Sequence, residues 1–196
     1  MAQKLILPIN DTRVTASSKT VAYLLRFGFA HYGVDMVSRS GNQTLYASGN
    51  GVVVAVGTDN VVGRTVVIRY YGAYNRTTGK YQDVIFRYFH LASIFVKAWQ
   101  KVTKDTRIGY YGNTGSMKMG LHLHLEADTD TLYPLYSPTV KNSNFLRGRA
   151  LGANDKTMSN PLDWMYCKTS APDRQSLTGD NNLYVRVADR KLPSVV

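Results

Sequence analysis

A single cysteine, Cys167, stands in 196 residues, so no internal disulfide is available and stability has to come from packing. Acidic residues are also scarce, 13 Asp and Glu against 24 Lys and Arg, and the formal net charge is +11. That balance predicts attraction to polyanions, either nucleic acid or the phosphate- and carboxylate-bearing polymers of bacterial walls. The basic residues form no stripe beyond a modest concentration over 141–149, and no helix-turn-helix, Cys-rich finger or RNA-binding signature accompanies them. Nucleic acid is therefore disfavoured as a partner. No apolar run is long enough to cross a membrane, and no heptad repeat is present. The apolar stretch in Met1–Pro8 is only three residues long. It is too short for a secretory signal, which predicts synthesis in the cytoplasm without an export signal.

What is present reads as β-structure. Residues 51–57 and 65–70 are rich in β-branched side chains and bounded by glycines and turn formers, and 83–90 and 121–126 read as further strands. Residues 72–81 read as a polar hairpin connection. Many short strands separated by Gly-containing turns predict an all-β fold, antiparallel sheets in an open sandwich or barrel. No helix longer than a few turns is written in the sequence. Asn160-Pro161-Leu162-Asp163-Trp164-Met165 carries apolar residues after a proline and is expected to close the core. Residues 1–27 read as a lead-in with a short helix or strand near 21–25, 28–167 as the main domain, and 168–196 as a polar tail with one edge strand at 183–187.

Only four histidines occur, and two of them lie in the alternating run Leu121-His122-Leu123-His124-Leu125-Glu126. Alternation with period two predicts a half-buried strand with leucines in the core and both imidazoles on the opposite face. His31 is followed four residues later by Asp35, an even spacing that turns both side chains to one side of an extended segment. His31, Asp35 and one histidine of the 122/124 pair would make a three-ligand set with an open fourth position, the pattern of catalytic zinc. Glu126 shares the histidine face, either as an acceptor that holds an imidazole tautomer or as a solvent-facing carboxylate. Thr114 and Ser116 either satisfy a glycine turn or line a groove. The tyrosines at 70, 71, 74 and 81 leave two readings open, a groove for peptide or sugar, or pairing across the hairpin.

These residues carry a resemblance to a known family. Ala30-His31-Tyr32-Gly33-Val34-Asp35-Met36 is similar to the H-x-G-x-D motif of the lysostaphin/LytM-type zinc endopeptidases. Tyr88-Phe89-His90-Leu91 resembles their Y-x-H-L, and 112–116 followed by 120–126 resembles their G-x-T-G-x-S…G-x-H-L-H-F-E. The similarity runs over about residues 28–166 in the family's order, with Asn160-Pro161-Leu162 at the closing segment. Leu121 replaces a usual proline, Leu125 a Phe, a glycine near Lys104-Asp105 is missing, and the insertion around 70–82 is longer than in compact relatives.

The resemblance implies antiparallel sheets with a central groove and one Zn2+ per chain at its floor. His31, Asp35 and His124 would be the metal ligands, and His90 and His122 the catalytic pair that orients and deprotonates the attacking water. It implies a zinc metalloendopeptidase that cuts peptide crosslinks or stems of bacterial peptidoglycan, acting at the cell wall as a phage lysin or virion-associated hydrolase, or exported by another route. The contrasting reading is a non-hydrolytic wall-binding or phage tail structural module with the same fold. Degenerate members lose ligands, and none is lost here.

Overall fold

The computed structural model describes residues 2–141, 143–148 and 155–166. Cys167 and the edge strand expected at 183–187 lie outside the described residues. The chain opens with Leu5–Ile6 (β1), Thr12–Ala16 (β2) and a short helix, Val21–Phe27 (α1). Eight strands follow: Gly33–Ser38 (β3), Thr44–Tyr46 (β4), Gly51–Asp59 (β5), Gly63–Asn75 (β6), Lys80–Ile94 (β7), Lys101–Val102 (β8), Arg107–Tyr111 (β9) and Leu123–Asp128 (β10). Tyr136–Ser137 (β11), Arg147–Gly148 (β12), Met158–Ser159 (β13) and Met165–Tyr166 (β14) complete the order, with a 3-10 turn at Pro161–Asp163.

Ten strands form one antiparallel sheet in the order β2-β3-β10-β7-β6-β5-β8, with β9 on the far end of β7, β4 beyond β9, and β13 on β10. The path branches at β7 and does not close, so the fold is the expected open, all-β arrangement. Long β6 and β7 form its spine, and their β-branched and aromatic residues Val66, Ile68, Val84, Phe86 and Tyr88 are fully buried in the main core. The 160–165 segment closes that core as expected. Asn160 caps the 3-10 turn by accepting from the Leu162 amide, Trp164 is fully buried, and β14 pairs with β1.

Three readings of the sequence change. The connection expected at 72–81 is mostly ribbon: the strands run to Asn75 and resume at Lys80, because the Asn75 carboxamide accepts from the Thr77 and Thr78 amides and turns the chain within four residues. Tyr74 and Tyr81 are therefore cross-strand partners, with ring centroids 4.9 Å apart, and Tyr70 is buried against the Tyr88 hydroxyl. The ribbon tip lies ten residues, about 33 Å of strand, from His90. Tyr74 and Tyr81 thus pair across the hairpin, while Tyr81 and Tyr71 also line open grooves beside Gln3 and Asn50, apart from the histidines. The lead-in is part of the sheet, since β2 pairs with β3 in register Val14↔Met36 and Ala16↔Asp35. Finally, β10 is buried on both faces, while Leu121 is exposed ahead of it. Leu123, Leu125 and Ala127 enter the main core, and the opposite face is roofed by residues 134–141 with the smaller cluster Val62, Phe89, Val140 and Leu146.

Candidate metal centre

His31 lies just ahead of β3, Asp35 on it, and His124 opposite Asp35 on β10, so strand register alone brings the three together. The His31 Nδ1–H donates to the Ser17 carbonyl at 2.9 Å, an acceptor only, which leaves Nε2 bare. That atom lies 3.0 Å from Asp35 Oδ1 and 3.0 Å from His124 Nδ1, and His124 Nδ1 lies 2.9 Å from the same carboxylate oxygen. A tetrahedral site with bonds of about 2.0–2.1 Å sets its ligand atoms about 3.3 Å apart, close to this triangle. Three electron-pair donors held this tightly repel one another, and a divalent cation bound to all three offsets that repulsion. The residues fit the metal implied by the sequence.

Packing explains why these residue types occur. Gly33 sits where a Cβ would lie 2.5 Å from His124 Nε2 and 2.5 Å from the Leu125 carbonyl oxygen, so any side chain there would displace the imidazole. Tyr23 of α1 stacks on His31 at 4.3 Å with the rings 15° from parallel. The helix that carries it is capped by Thr20 and ended by Gly28, whose φ of +77° suits glycine. Burial pushes the Tyr23 phenol up, reinforced by the Asp35 charge, to about 12. For Asp35, burial favours the neutral acid, but when no metal is bound the charge that His31 carries once protonated, and the hydrogen bonds that protonated His124 and His31 donate, outweigh it and hold the carboxyl well below its usual range. For His124, burial favours the neutral ring, yet the hydrogen bond and charge of Asp35, with Glu126 behind, raise it to about 9.

The remaining two histidines converge on the same cavity. His90 donates from Nδ1 to the Thr114 carbonyl at 3.0 Å, and His122 from Nδ1 to the Gly120 carbonyl at 2.9 Å. Both therefore present a bare Nε2, and that of His122 lies 3.7 Å from Asp35 Oδ1. Their ring centroids are 4.9 Å apart. His90 adopts a left-handed φ of +63°, a strained conformation for a side-chain-bearing residue that surrounding structure must enforce. Burial first, then repulsion from His124, lowers the His90 imidazole to about 4, so the ring is neutral at pH 7.

Behind His124 lies a buried charge network. Arg87 Nη1 donates to Glu126 at 3.1 Å and Nη2 to Asp128 at 2.6 Å, and all three side chains are fully buried. Glu126 also accepts from Ser137 Oγ at 2.7 Å and from the Thr139 hydroxyl, and its Oε1 lies 3.9 Å from His124 Nε2. Of the two readings of Glu126, the solvent-facing one fails. Burial acts against its charge, but His124, Arg87 and Thr139 together hold its pKa at about 2.

All five expected residues, His31, Asp35, His90, His122 and His124, line one narrow cavity with Tyr23, Phe29, Met117, Met119 and Thr139. The Thr114 hydroxyl is spent on the backbone: it accepts from the Arg64 amide and donates to the Leu91 carbonyl. Sequence reasoning missed Tyr23, Arg87 and the carbonyls of Ser17, Thr114 and Gly120. Carbonyls leave no trace in a sequence. Arg87 did leave one, as a lone cation within Ile85-Phe86-Arg87-Tyr88-Phe89.

With this geometry in view, the comparisons with known proteins are specific. The profile of Peptidase family M23 matches residues 29–134. Peptidoglycan DD-endopeptidase ShyA of Vibrio cholerae serotype O1 is 40% identical over 96 residues, 49% of this chain and 20% of that protein. The chain thus spans about a fifth of the length of this curated relative. Among solved structures, a zinc containing peptidase from Vibrio cholerae is similar with a TM-score of 0.51 and 24% identity, over 64% of this chain and 37% of that one. LytU is similar at 0.51 and 22% identity, over 88% of this chain and 92% of that one. A chain of the SpoIIQ-SpoIIIAH pore forming complex is similar at 0.57 and 18% identity, over 84% and 92%. At these identities the structural similarity is one of fold.

Proposed function

This chain belongs to peptidase family M23, and on that premise we propose that it is a zinc-dependent endopeptidase that hydrolyses peptide bonds in the crosslinks or stems of bacterial peptidoglycan. His31, Asp35 and His124 hold the metal. Zinc, when bound, acts as a Lewis acid on the peptide carbonyl and lowers the pKa of a coordinated water from 15.7 to about 7. His90 and His122, fixed by their Nδ1–H donors, use their bare Nε2 atoms to take a proton from the attacking water. They then hydrogen-bond the developing oxyanion or return a proton to the leaving amine.

The observation that carries this reading is the convergence of three ligand atoms with two correctly tautomerised imidazoles in one cavity. The name of the DD-endopeptidase relative supports wall peptide as substrate, and the surplus of cations suits an anionic wall. The fold itself does not decide for hydrolysis, since a chain of a pore forming complex shares it. The complete residue set is what favours an enzyme over a non-hydrolytic module.

Mass spectrometry of material released from purified walls tests the proposal. The expected result is muropeptides with new amino and carboxyl termini in the peptide, intact glycan, and no release after chelation. Cleaved glycan, or release that persists in chelator, would overturn it.

A further inference from the structure

At the end of the β5–β6–β7 spine away from the histidines, two open hollows of about 690 and 500 Å3 share Gln3, Asn50 and Thr103 and so form one trough. Tyr81 lines one lobe and Tyr71 the other, and the two residues are 54% and 42% exposed. Tyr81 lies nine residues from His90 along β7, about 30 Å of strand, so the trough is separate from the metal cavity.

Local hydrogen bonds make the floor of this trough rigid. The Gln3 carboxamide, just ahead of β1, donates to the backbone carbonyls of Asn50 and Tyr71 at 2.7 and 2.9 Å and accepts from the Asn50 amide at 2.8 Å. Its backbone donates to the Gly72 carbonyl and accepts from the Tyr74 amide. Every polar group of Gln3 is thus spent on the floor, while the side-chain amide of Asn50 takes no part in these bonds. Each tyrosine is backed by a neighbour. Arg69, paired with Asp83 at 2.8 Å, has its guanidinium carbon 5.0 Å from the Tyr71 ring centroid, and the Tyr74 ring lies 4.9 Å from that of Tyr81. Of the cations that line the trough, Lys104 is held by Asp105 at 2.8 Å, and Lys4 sits 5.1 Å from the Tyr166 ring centroid. Lys101, exposed on the edge strand β8, has no acidic side chain within ion-pair distance among the described residues.

We propose that this trough is a second binding site, for a glycan strand of the wall, whose sugars stack on Tyr71 and Tyr81 while Lys101 pairs with a sugar-borne carboxylate. The choice of glycan rests on the peptidase reading, because an enzyme that cuts crosslinks meets them attached to a glycan polymer. The C–H face of a pyranose is weakly positive and packs on the electron-rich face of a tyrosine ring. The phenol hydroxyls and the Asn50 amide offer hydrogen bonds to hydroxyl and acetamido groups. A site for a bare polyanion would need a row of free cations, and the trough supplies one. Holding the glycan here raises the effective concentration of crosslinks at the metal cavity without any new contact to the scissile bond.

The test measures binding to the metal-loaded full chain by titration calorimetry with three probes. They are peptide-free glycan strands from purified walls, chitohexaose as an uncharged amino-sugar oligomer, and polyglutamate as a polyanion without sugar. Glycan strands are expected to bind best, chitohexaose more weakly and polyglutamate least. Tyr71→Ala and Tyr81→Ala should each weaken both sugars roughly tenfold, the scale of one lost stacking partner, while Tyr71→Phe stays near the parent. Lys101→Gln should bring the glycan strands towards the chitohexaose value and leave chitohexaose unchanged. The alanine variants should also solubilise intact walls more slowly yet cleave a short glycan-free crosslinked peptide at the parent rate, which separates lost recognition from lost fold. Glycan that fails to bind the parent, or polyglutamate that binds as tightly with no response to the tyrosine changes, would overturn the site. Glycan binding as expected without cleavage of any crosslinked peptide would instead count against the peptidase reading and leave the glycan site standing.

Discussion

Alanine at His90 or His122 is expected to leave the metal in place and slow hydrolysis by roughly 10²–10⁴-fold, the scale of a general acid–base group. Each ring is tied by its Nδ1–H to a backbone carbonyl and contributes only its Nε2 to the cavity, so neither is needed to hold a cation. Metal content by elemental analysis and turnover on a crosslinked peptide would be read on the same preparations. His90→Ala has a second expected signature. The folded pKa of about 4 lies below the unfolded value, so the unfolded chain binds more protons between the two, and burying this ring costs stability as pH falls from about 6.5 towards 4. Removing the ring should therefore flatten the acid limb of the stability profile. Loss of metal from either variant would mean that ligands and acid–base groups have been exchanged in the assignment.

Arg87→Met is expected to destabilise the fold by about 3–5 kcal/mol, because it strands two buried carboxylates without their counter-ion. For a chain of this size that is a fall in melting temperature of roughly 10 °C. Adding Glu126→Gln and Asp128→Asn should restore most of it, since the desolvation cost then has no charge to act on. The network also fixes the acid response. The Glu126 pKa of about 2 lies below its ordinary value of 4.5, so its contribution is complete above about 4.5 and lost as pH falls towards 2. A melting temperature within a degree or two of the parent would show that the buried network contributes little.

The alternation at 121–126 made the histidine strand readable, because period two has few other causes in so short a run. The same run misled about exposure. A strand whose polar face is roofed by a later segment has the same alternation as one facing water, and only residues 134–141, which lie outside the run, make the difference. The even spacing of His31 and Asp35 was enough to put them on one side, but not to show that Gly33 between them makes room for His124. The hairpin at 72–81 was misjudged because Gly72 looks like punctuation, whereas the turn is set by Asn75 and closes four residues later. Strands of two and five residues, such as β1 and β2, are too short for periodicity, and their pairing with β14 and β3 is a tertiary fact. The chemistry was legible because it resides in side chains. The positioning of that chemistry was not, because it resides largely in backbone carbonyls.

Metal content is the most direct measure of the central claim. Protein dialysed without chelator is expected to carry close to one zinc per chain. Asp35→Ala and His124→Ala should each empty the site, since three protein ligands are the minimum that holds zinc firmly. His122→Ala, altered two residues away on the same segment, should remain loaded. Full occupancy in Asp35→Ala and His124→Ala, or no metal in the parent, would contradict the account.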